Sequence, residues 1–352
     1  MQRKGRLIMA KFEFLARTND NTTRNFDLEK TIILFLDDKK LQKRSEKTIK
    51  TYRVALAHYT KYCNDHDLNG NEQDCVRQYI HYMTFEKVKW DDHPTNISTT
   101  VGVSPRSINN AIRFIRVFYN WAVSKKYINH NPANDVGLQK ENQESFEIFT
   151  DDEMESLLNS PRRRSYTGMR DYTMMVLMID TGLRVGEMTN LVRGDFDLTY
   201  RQINIRAEIS KSKRSRVVPI SRTTANLLQD LFDYTNIVED DTEEFVFLTQ
   251  YGERYYGDTF AKMLKQYAKR AGMTINARVS PHTFRHYFAI KFLRNGGDPF
   301  ALMKILGHTD YSMTNKYVRY ASVHLQEVHD RVSPAESVIK GNQKSKGKVK
   351  FK

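Results

Sequence analysis

The chain has 352 residues, with 56 Lys+Arg against 42 Asp+Glu and a formal net charge of +14, which suits about two domains of ~100–200 residues each and a polyanionic partner such as nucleic acid. A generally basic soluble protein or a binder of acidic membrane surfaces are the plainer readings of that charge. Two cysteines without Cys-x-x-Cys spacing exclude a disulfide framework, no stretch approaches the ~20 apolar residues of a membrane span, and residues 1–11 lack the apolar run of a signal peptide, so the expectation is a soluble, cytoplasmic protein with no membrane partner.

Residues 1–24 are basic and then polar, and read as a flexible arm. From there to residue 138 the pattern is helical. Leu28, Ile32, Ile33 and Leu36 recur at helical spacing, and Ser45-Glu46-Lys47-Thr48 precedes a second run with Tyr52, Ala55, Leu56 and Tyr59. A third helix is expected over Glu72 to Phe85, then a polar loop from Glu86 to Ser104 containing Pro94 and Gly102. Ser104-Pro105 starts a fourth helix, with Ile108, Ile112, Ile115, Phe118 and Trp121 on one stripe, expected to end near Asn131-Pro132. Lys47, Lys50, Arg53, Arg106, Arg113 and Arg116 lie on the polar faces of these helices. A solvated surface is the default for such residues, and a DNA-backbone contact is the functional alternative.

Residues 139–149 read as a linker, and 150–332 as a second domain. Thr150-Asp151-Asp152-Glu153 is a capping box opening a helix. The next helix is expected over Met169 to Asp180, is broken by Thr181-Gly182, and is followed by a short one from Val185 to Leu191. Ile203 and Ile205, then Val217, Val218 and Ile220, read as two strands flanking Ser210-Lys211-Ser212-Lys213-Arg214, a β-hairpin with a basic tip. Further helices are expected over 223–234, 259–271, 281–294, 299–306 and 312–320, with Asn295-Gly296-Gly297 stopping one and Asp298-Pro299 opening the next. Residues 333–352 form a tail, with six lysines among residues 340–352. The fold class is mainly α with a small β-hairpin or sheet, in two domains.

The residues with chemistry are His282-Thr283-Phe284-Arg285-His286, Leu306-Gly307-His308 and Tyr317, together with the upstream Thr181-Gly182-Leu183-Arg184. A phosphodiester repels nucleophiles, so an enzyme that attacks it must neutralise the non-bridging oxygens and protonate the leaving oxygen. The acidic run from Glu239 to Glu244 reads as a solvated loop rather than a metal site, and no cofactor or metal is expected. Arginine can neutralise the phosphate in place of a metal, because its planar fork bonds phosphate oxygens in pairs. Arg184 and Arg285 are the candidates, with His282 one helical turn before Arg285 and His308 as a further donor. Tyr317 is the candidate nucleophile, although a free phenol titrates near ~10 and needs a proton acceptor or a positive setting. Lys211 is the candidate acid, and Lys213 is its rival. His286 reads as a packing neighbour. It is half of a zinc-helix pattern with His282, but lacks the Glu such chemistry needs. Tyr311 and Tyr320 are nearby phenols without that placement.

The ordered set resembles the tyrosine recombinase, or phage-integrase-like, family over about residues 25–325. Thr181-Gly182-Leu183-Arg184-Val185-Gly186-Glu187 is similar to its first box, with Arg184 as first arginine and Glu187 as a supporting acid. Lys211 matches the hairpin lysine, His282 and Arg285 the second box, His308 the third, and Tyr317 the nucleophile. The resemblance implies a helical core-binding domain and a catalytic domain that clamp duplex DNA. It implies a homo-tetramer bridging two specific sites, in some cases with accessory proteins. It implies cleavage through a 3′-phosphotyrosyl link and a Holliday junction. The long 86–104 loop and the tail favour a mobile-element integrase or transposase. A Xer-like dimer resolvase is the alternative, and a type IB topoisomerase a more remote one.

Overall fold

The computed structural model describes residues 26–89, 99–141, 148–235, 244–273, 279–321, 329 and 333–335. The expected arm, residues 90–98 of the expected loop, residues 239–243 of the acidic run and the lysine-rich stretch 340–352 lie outside them. The chain divides into two compact units, Met1–Gln143 and Glu144–Lys352.

The first unit contains α1 (Leu28–Leu41), α2 (Glu46–Asp65), α3 (Cys75–Phe85) and α4 (Pro105–Ser124). Each start has a local cause. Asp27 accepts from the Lys30 amide at 3.0 Å, Ser45 from Thr48 at 3.2 Å, and Ser104 from Ser107 at 3.4 Å ahead of Pro105, satisfying amides that the first helical turn leaves unpaired. Ile49, Leu56 and Tyr59 of α2 meet Ile108, Ile112, Ile115 and Phe118 of α4 in one core. Cys63 and Cys75 are buried free thiols, and burial pushes Cys63 up to about 12.

Three expectations need correction here. Helix α3 starts at Cys75, not Glu72, because residues 72–74 form a turn. Helix α4 stops at Ser124 rather than near Asn131-Pro132. Lys126 adopts a left-handed φ of 59° and its amide reaches back to the Val123 carbonyl, which ends the helix. The loop expected from Glu86 to Ser104 is partly paired. Val88 and Val101 form an antiparallel bridge, with the Lys89 amide on the Thr100 carbonyl and the Gly102 amide on the Lys87 carbonyl, each at 2.8 Å.

The second unit contains α5 (Asp151–Leu158), α6 (Tyr166–Thr181), α7 (Val185–Met188), a 3-10 turn (Arg193–Asp195), strands β1 (Phe196–Asp197), β2 (Gln202–Ile205) and β3 (Arg216–Pro219), then α8 (Arg222–Thr235), α9 (Gly257–Arg270), α10 (Pro281–Arg294), α11 (Pro299–Leu306) and α12 (Tyr311–Ala321). The capping box at Thr150 and Glu153 opens α5. Helix α6 begins at Tyr166, three residues before the expected Met169, because Ser165 caps the Gly168 amide at 3.3 Å. Helix α7 ends at Met188 rather than Leu191, in a turn leading to the 3-10 segment. The antiparallel sheet has the order β1-β2-β3, pairing Ile203 with Val218 and Ile205 with Arg216. The two-residue β1 is too short to carry a period-2 pattern and was not expected.

Helix α6 lies at the centre of this unit. Met174, Met175, Leu177 and Met178 are fully buried, and the helix packs on α8 and α10. A helix apolar on most faces belongs inside a domain. A smaller cluster joins α10, α11 and α12 through Phe288, Leu293, Leu302, Leu306, Tyr317 and Ala321. Among the described residues no helix is long and apolar enough to cross a membrane.

Candidate active site

Two glycine-terminated helices shape this region. Helix α6 ends at Gly182, with φ 61°, and α11 ends at Gly307, with φ 64°. A left-handed residue at a helix end reverses the chain and leaves the last carbonyls without intrahelical partners. Both ends turn those carbonyls inward to arginines. Arg285, on α10, donates to the Gly182 carbonyl at 2.7 Å and to the Leu306 carbonyl at 2.8 Å. Arg216, on β3, donates to the Ile305 carbonyl at 2.8 Å. A Cβ at residue 182 would sit 2.4 Å from Phe288, and one at 307 would sit 3.0 Å from the Arg216 guanidinium. The backbone angle favours glycine at both positions, and at 182 the space does as well.

Arg184 follows the Gly182 reversal as N-cap of α7. Glu187, three residues on, accepts from the Arg184 amide at 3.2 Å and from its guanidinium at 2.9 Å. Arg216 completes the carboxylate's shell with contacts of 2.7 and 3.3 Å. Burial pushes the Glu187 carboxyl up, but the hydrogen bond and charge of Arg216, with Arg184, outweigh it and hold the group below the usual range. Burial and the neighbouring Arg184 push Arg285 down to about 10, which leaves it charged at neutral pH. Two arginines thus share one carboxylate with a third close enough to feel its charge, and the surplus positive charge suits an anion.

His308 follows Gly307. Its Nε2 lies 3.0 Å from the Arg285 guanidinium and its Nδ1 2.8 Å from the Thr314 hydroxyl. Arginine has no acceptor, so Nε2 must accept and Nδ1–H must donate to Thr314. Burial, then the charges of Arg285, Arg184 and Arg216, push this imidazole down to about 4, consistent with that neutral tautomer.

Helix α12 supplies Thr314 and, one turn later, Tyr317, which is 5% exposed. The Tyr317 ring lies nearly parallel to His308, with centroids 6.2 Å apart and planes at 9°. Its hydroxyl is 2.9 Å from Nδ1 of His286. Burial pushes the phenol up, and the charge and hydrogen bonding of Arg285, then the charge of Arg184, offset this only in part.

The packing thus gathers Arg184, Glu187, Arg285, His308 and Tyr317 into one cluster. His282 stands exposed in the first turn of α10, one turn before Arg285. Lys211 is exposed in the ten-residue connection 206–215 and is not hydrogen-bonded to the cluster. Lys213 is also exposed, with a left-handed φ of 56° and its ammonium 3.4 Å from the Glu208 carbonyl, and Arg214 beside it is exposed. Tyr311 rests on Phe300 at the start of α12, with ring centroids 5.3 Å apart. In the first unit, Lys47, Lys50 and Arg53 are exposed at three-residue spacing along α2. Arg106 and Arg113 are exposed on α4, with Arg113 held 3.0 Å from Asn110. Arg116 instead donates to the Ala133 and Val136 carbonyls at 3.2 and 2.7 Å, which spends its fork on holding the chain after α4.

Three members of the network escaped sequence reasoning. Arg216 shares the inward face of β3 with Val218, so a charge at a buried alternating position was the available signal. Thr314 carried no signal. His286, expected only to pack, is hydrogen-bonded to the Tyr317 hydroxyl.

Residues 147–324 match the phage integrase family profile, and residues 33–139 match the phage integrase SAM-like domain. Tyrosine recombinase XerD of Listeria innocua serovar 6a is 28% identical over 302 residues, covering 82% of this chain and 93% of that protein. Tyrosine recombinase XerD of Halalkalibacterium halodurans is 27% identical over 293 residues, covering 82% and 92%. Among solved structures, the Tn1549 transposon integrase in complex with transposon right-end DNA superposes with a TM-score of 0.67 at 18% identity, covering 86% of this chain and 99% of that one. A lambda integrase dimer bound to a COC′ core site gives a TM-score of 0.65 at 14% identity, covering 97% and 88%. At these identities the two structures speak for the fold alone.

Proposed function

The chain belongs to the phage integrase family of tyrosine recombinases, and from that premise we propose that it cleaves and rejoins double-stranded DNA at recognised sites through a covalent bond to Tyr317. The observation that carries this reading is the Tyr317 hydroxyl buried beside a cluster of arginines that holds more positive than negative charge.

A scissile phosphate entering beside Tyr317 would compete for the donors of Arg184 and Arg285. Each is a planar fork suited to the non-bridging oxygens, and each is pre-oriented by the protein, so little reorganisation is needed as charge develops. Glu187 and the two helix-end carbonyls act on the arginines, keeping the forks in place. The phenolic oxygen attacks phosphorus, the bond to the 5′ oxygen breaks, and the product is a 3′-phosphotyrosyl ester and a free 5′ hydroxyl. The departing oxygen needs a proton, for which Lys211 is the candidate. Lys213 is the weaker one, because its ammonium is already tied to the Glu208 carbonyl. A neutral His308 accepts from Arg285 in the DNA-free site. A phosphate oxygen at Nε2 would favour its protonated form and make it a further donor.

Attack by the freed 5′ hydroxyl of another duplex would reverse the ester and exchange strands through a Holliday junction, in a homo-tetramer that bridges two sites with or without accessory proteins. Lys47, Lys50, Arg53, Arg106, Arg113, Lys213 and Arg214 are the candidate phosphate contacts. Integration, excision or transposition of a mobile element is one use of this reaction. The near full-length match to XerD proteins favours a second, a Xer-like resolvase of chromosome or plasmid dimers.

The test uses supercoiled plasmids carrying two copies of candidate sites from the gene's own neighbourhood. Deletion or inversion products support the reading. Relaxation alone, on plasmids of any sequence and at one enzyme molecule per DNA, points instead to a type IB topoisomerase.

A further inference from the structure

We propose that His286 is the proton acceptor for the attacking phenol, an inference that rests on Tyr317 being the nucleophile. A buried phenol attacks phosphorus only as it loses its proton, and burial pushes the Tyr317 hydroxyl up despite Arg285 and Arg184. The arginines lower the cost of the phenolate, but none of them can take a proton at neutral pH. Some group touching the hydroxyl must do so.

The contacts of the cluster narrow the choice, with His282 exposed one turn before Arg285. His308 commits Nε2 to Arg285 and Nδ1–H to Thr314, and it meets Tyr317 ring to ring rather than through a nitrogen. Glu187 has both carboxylate oxygens taken by Arg184 and Arg216. Nδ1 of His286 lies 2.9 Å from the Tyr317 hydroxyl, inside the range for direct proton transfer. Residue order explains how one helix serves both partners. Arg285 and His286 are consecutive on α10, about 100° apart around the axis. Arg285 reaches Gly182, Leu306 and His308 and also acts on the Tyr317 phenol through charge and hydrogen bonding, while His286 brings a ring nitrogen to the same hydroxyl.

The step balances without a further reagent. Neutral His286, with its hydrogen on Nε2, accepts the phenolic proton at Nδ1 as the tyrosyl oxygen bonds to phosphorus. The imidazolium then donates Nδ1–H to the ester oxygen. The proton needed by the 5′ oxygen comes separately, from the acid on the leaving side. In the reverse step, attack by a 5′ hydroxyl expels the tyrosyl oxygen, and His286 returns its proton. This assigns the two proton transfers to opposite ends of the reacting phosphorus, as in-line displacement requires.

The experiment measures single-turnover formation of the covalent adduct on a nicked suicide duplex at saturating DNA, with wild type, Tyr317→Phe, His286→Ala and His286→Asn. Asparagine can keep a hydrogen bond to the hydroxyl but cannot take its proton. Expected results are a rate lower by about 10²–10⁴-fold in His286→Ala, little recovery in His286→Asn, and DNA affinity close to wild type in both. Fluorinated tyrosine at residue 317, a phenol of lower pKa, should restore adduct formation in His286→Ala by a larger factor than it changes wild type. A merely structural role for His286 would not produce that selective rescue. If His286→Ala were too unstable to assay, the comparison of His286→Asn with and without fluorotyrosine decides the matter. Adduct formation at the wild-type rate or faster in the histidine variants, with none in Tyr317→Phe, overturns the inference and leaves the nucleophile reading intact. Adduct formation by Tyr317→Phe overturns the nucleophile reading itself.

Discussion

Replacing Arg216 with alanine should destabilise the second unit strongly and in a pH-dependent way. Arg216 makes two hydrogen bonds to Glu187 and one to the Ile305 carbonyl, and its side chain is 9% exposed against 2% for Glu187. Removing one partner of a buried ion pair costs about 3–5 kcal/mol, because the remaining charge is left without compensation. Arg184 still holds one carboxylate oxygen through its guanidinium and the other through its amide, so the lower end, about 3 kcal/mol, is the expectation. At about 2–4 °C per kcal/mol for a unit of this size, Tm falls by about 6–12 °C. The sign with pH follows from Glu187. In the wild type its folded pKa is depressed, so its contribution is present above the unfolded carboxylate value and lost as pH falls through the folded one. In the variant the largest remaining influence is burial, which favours the neutral acid, so acidification relieves the strain. Urea unfolding at neutral and mildly acidic pH should therefore show a gap that narrows as pH falls. Adding Glu187→Gln should recover part of the loss at neutral pH. Equal midpoints for wild type and Arg216→Ala, or a gap independent of pH, would refute the reasoning.

Other perturbations give separate outcomes. Arg184→Ala should lower single-turnover cleavage by about 10²–10³-fold, as loss of a transition-state charge donor does, and Arg184→Lys should restore little because a point charge lacks the fork. Gly182→Ala should lower Tm, since the left-handed backbone costs about 1–2 kcal/mol with a Cβ and the new methyl overlaps Phe288. Unchanged melting would contradict the cap argument. Alanine at Lys47, Lys50 or Arg53 should flatten the salt dependence of DNA binding by about 0.9 in log–log slope for each phosphate no longer neutralised. An unchanged slope would return these residues to an ordinary solvated face.

What the sequence revealed follows from how local each feature is. Thr181-Gly182-Leu183-Arg184 and Leu306-Gly307-His308 were legible because a left-handed glycine cap is set by a few adjacent residues. The helical spacing in α2 and α4 likewise reports directly on their buried stripes. The end of α4 was not legible, because apolar residues continue through Tyr127 while the backbone has already reversed at Lys126. The role of Arg216 was not legible because its partners, Glu187 and Ile305, lie far away in sequence on two other elements. His286 was legible only as a packing neighbour, for a related reason. Beside Arg285 it looks like a spare polar residue, and only the placement of α12 brings a tyrosyl hydroxyl to it.

The most direct test is to trap the covalent complex on a suicide duplex, digest it, and locate the nucleotide-bearing peptide by mass spectrometry. The account predicts one modified residue, Tyr317, joined to a 3′ phosphate, and no adduct in Tyr317→Phe despite near-normal DNA binding. Modification at Tyr311 or Tyr320, a 5′-linked product, or undiminished trapping by Tyr317→Phe would contradict it.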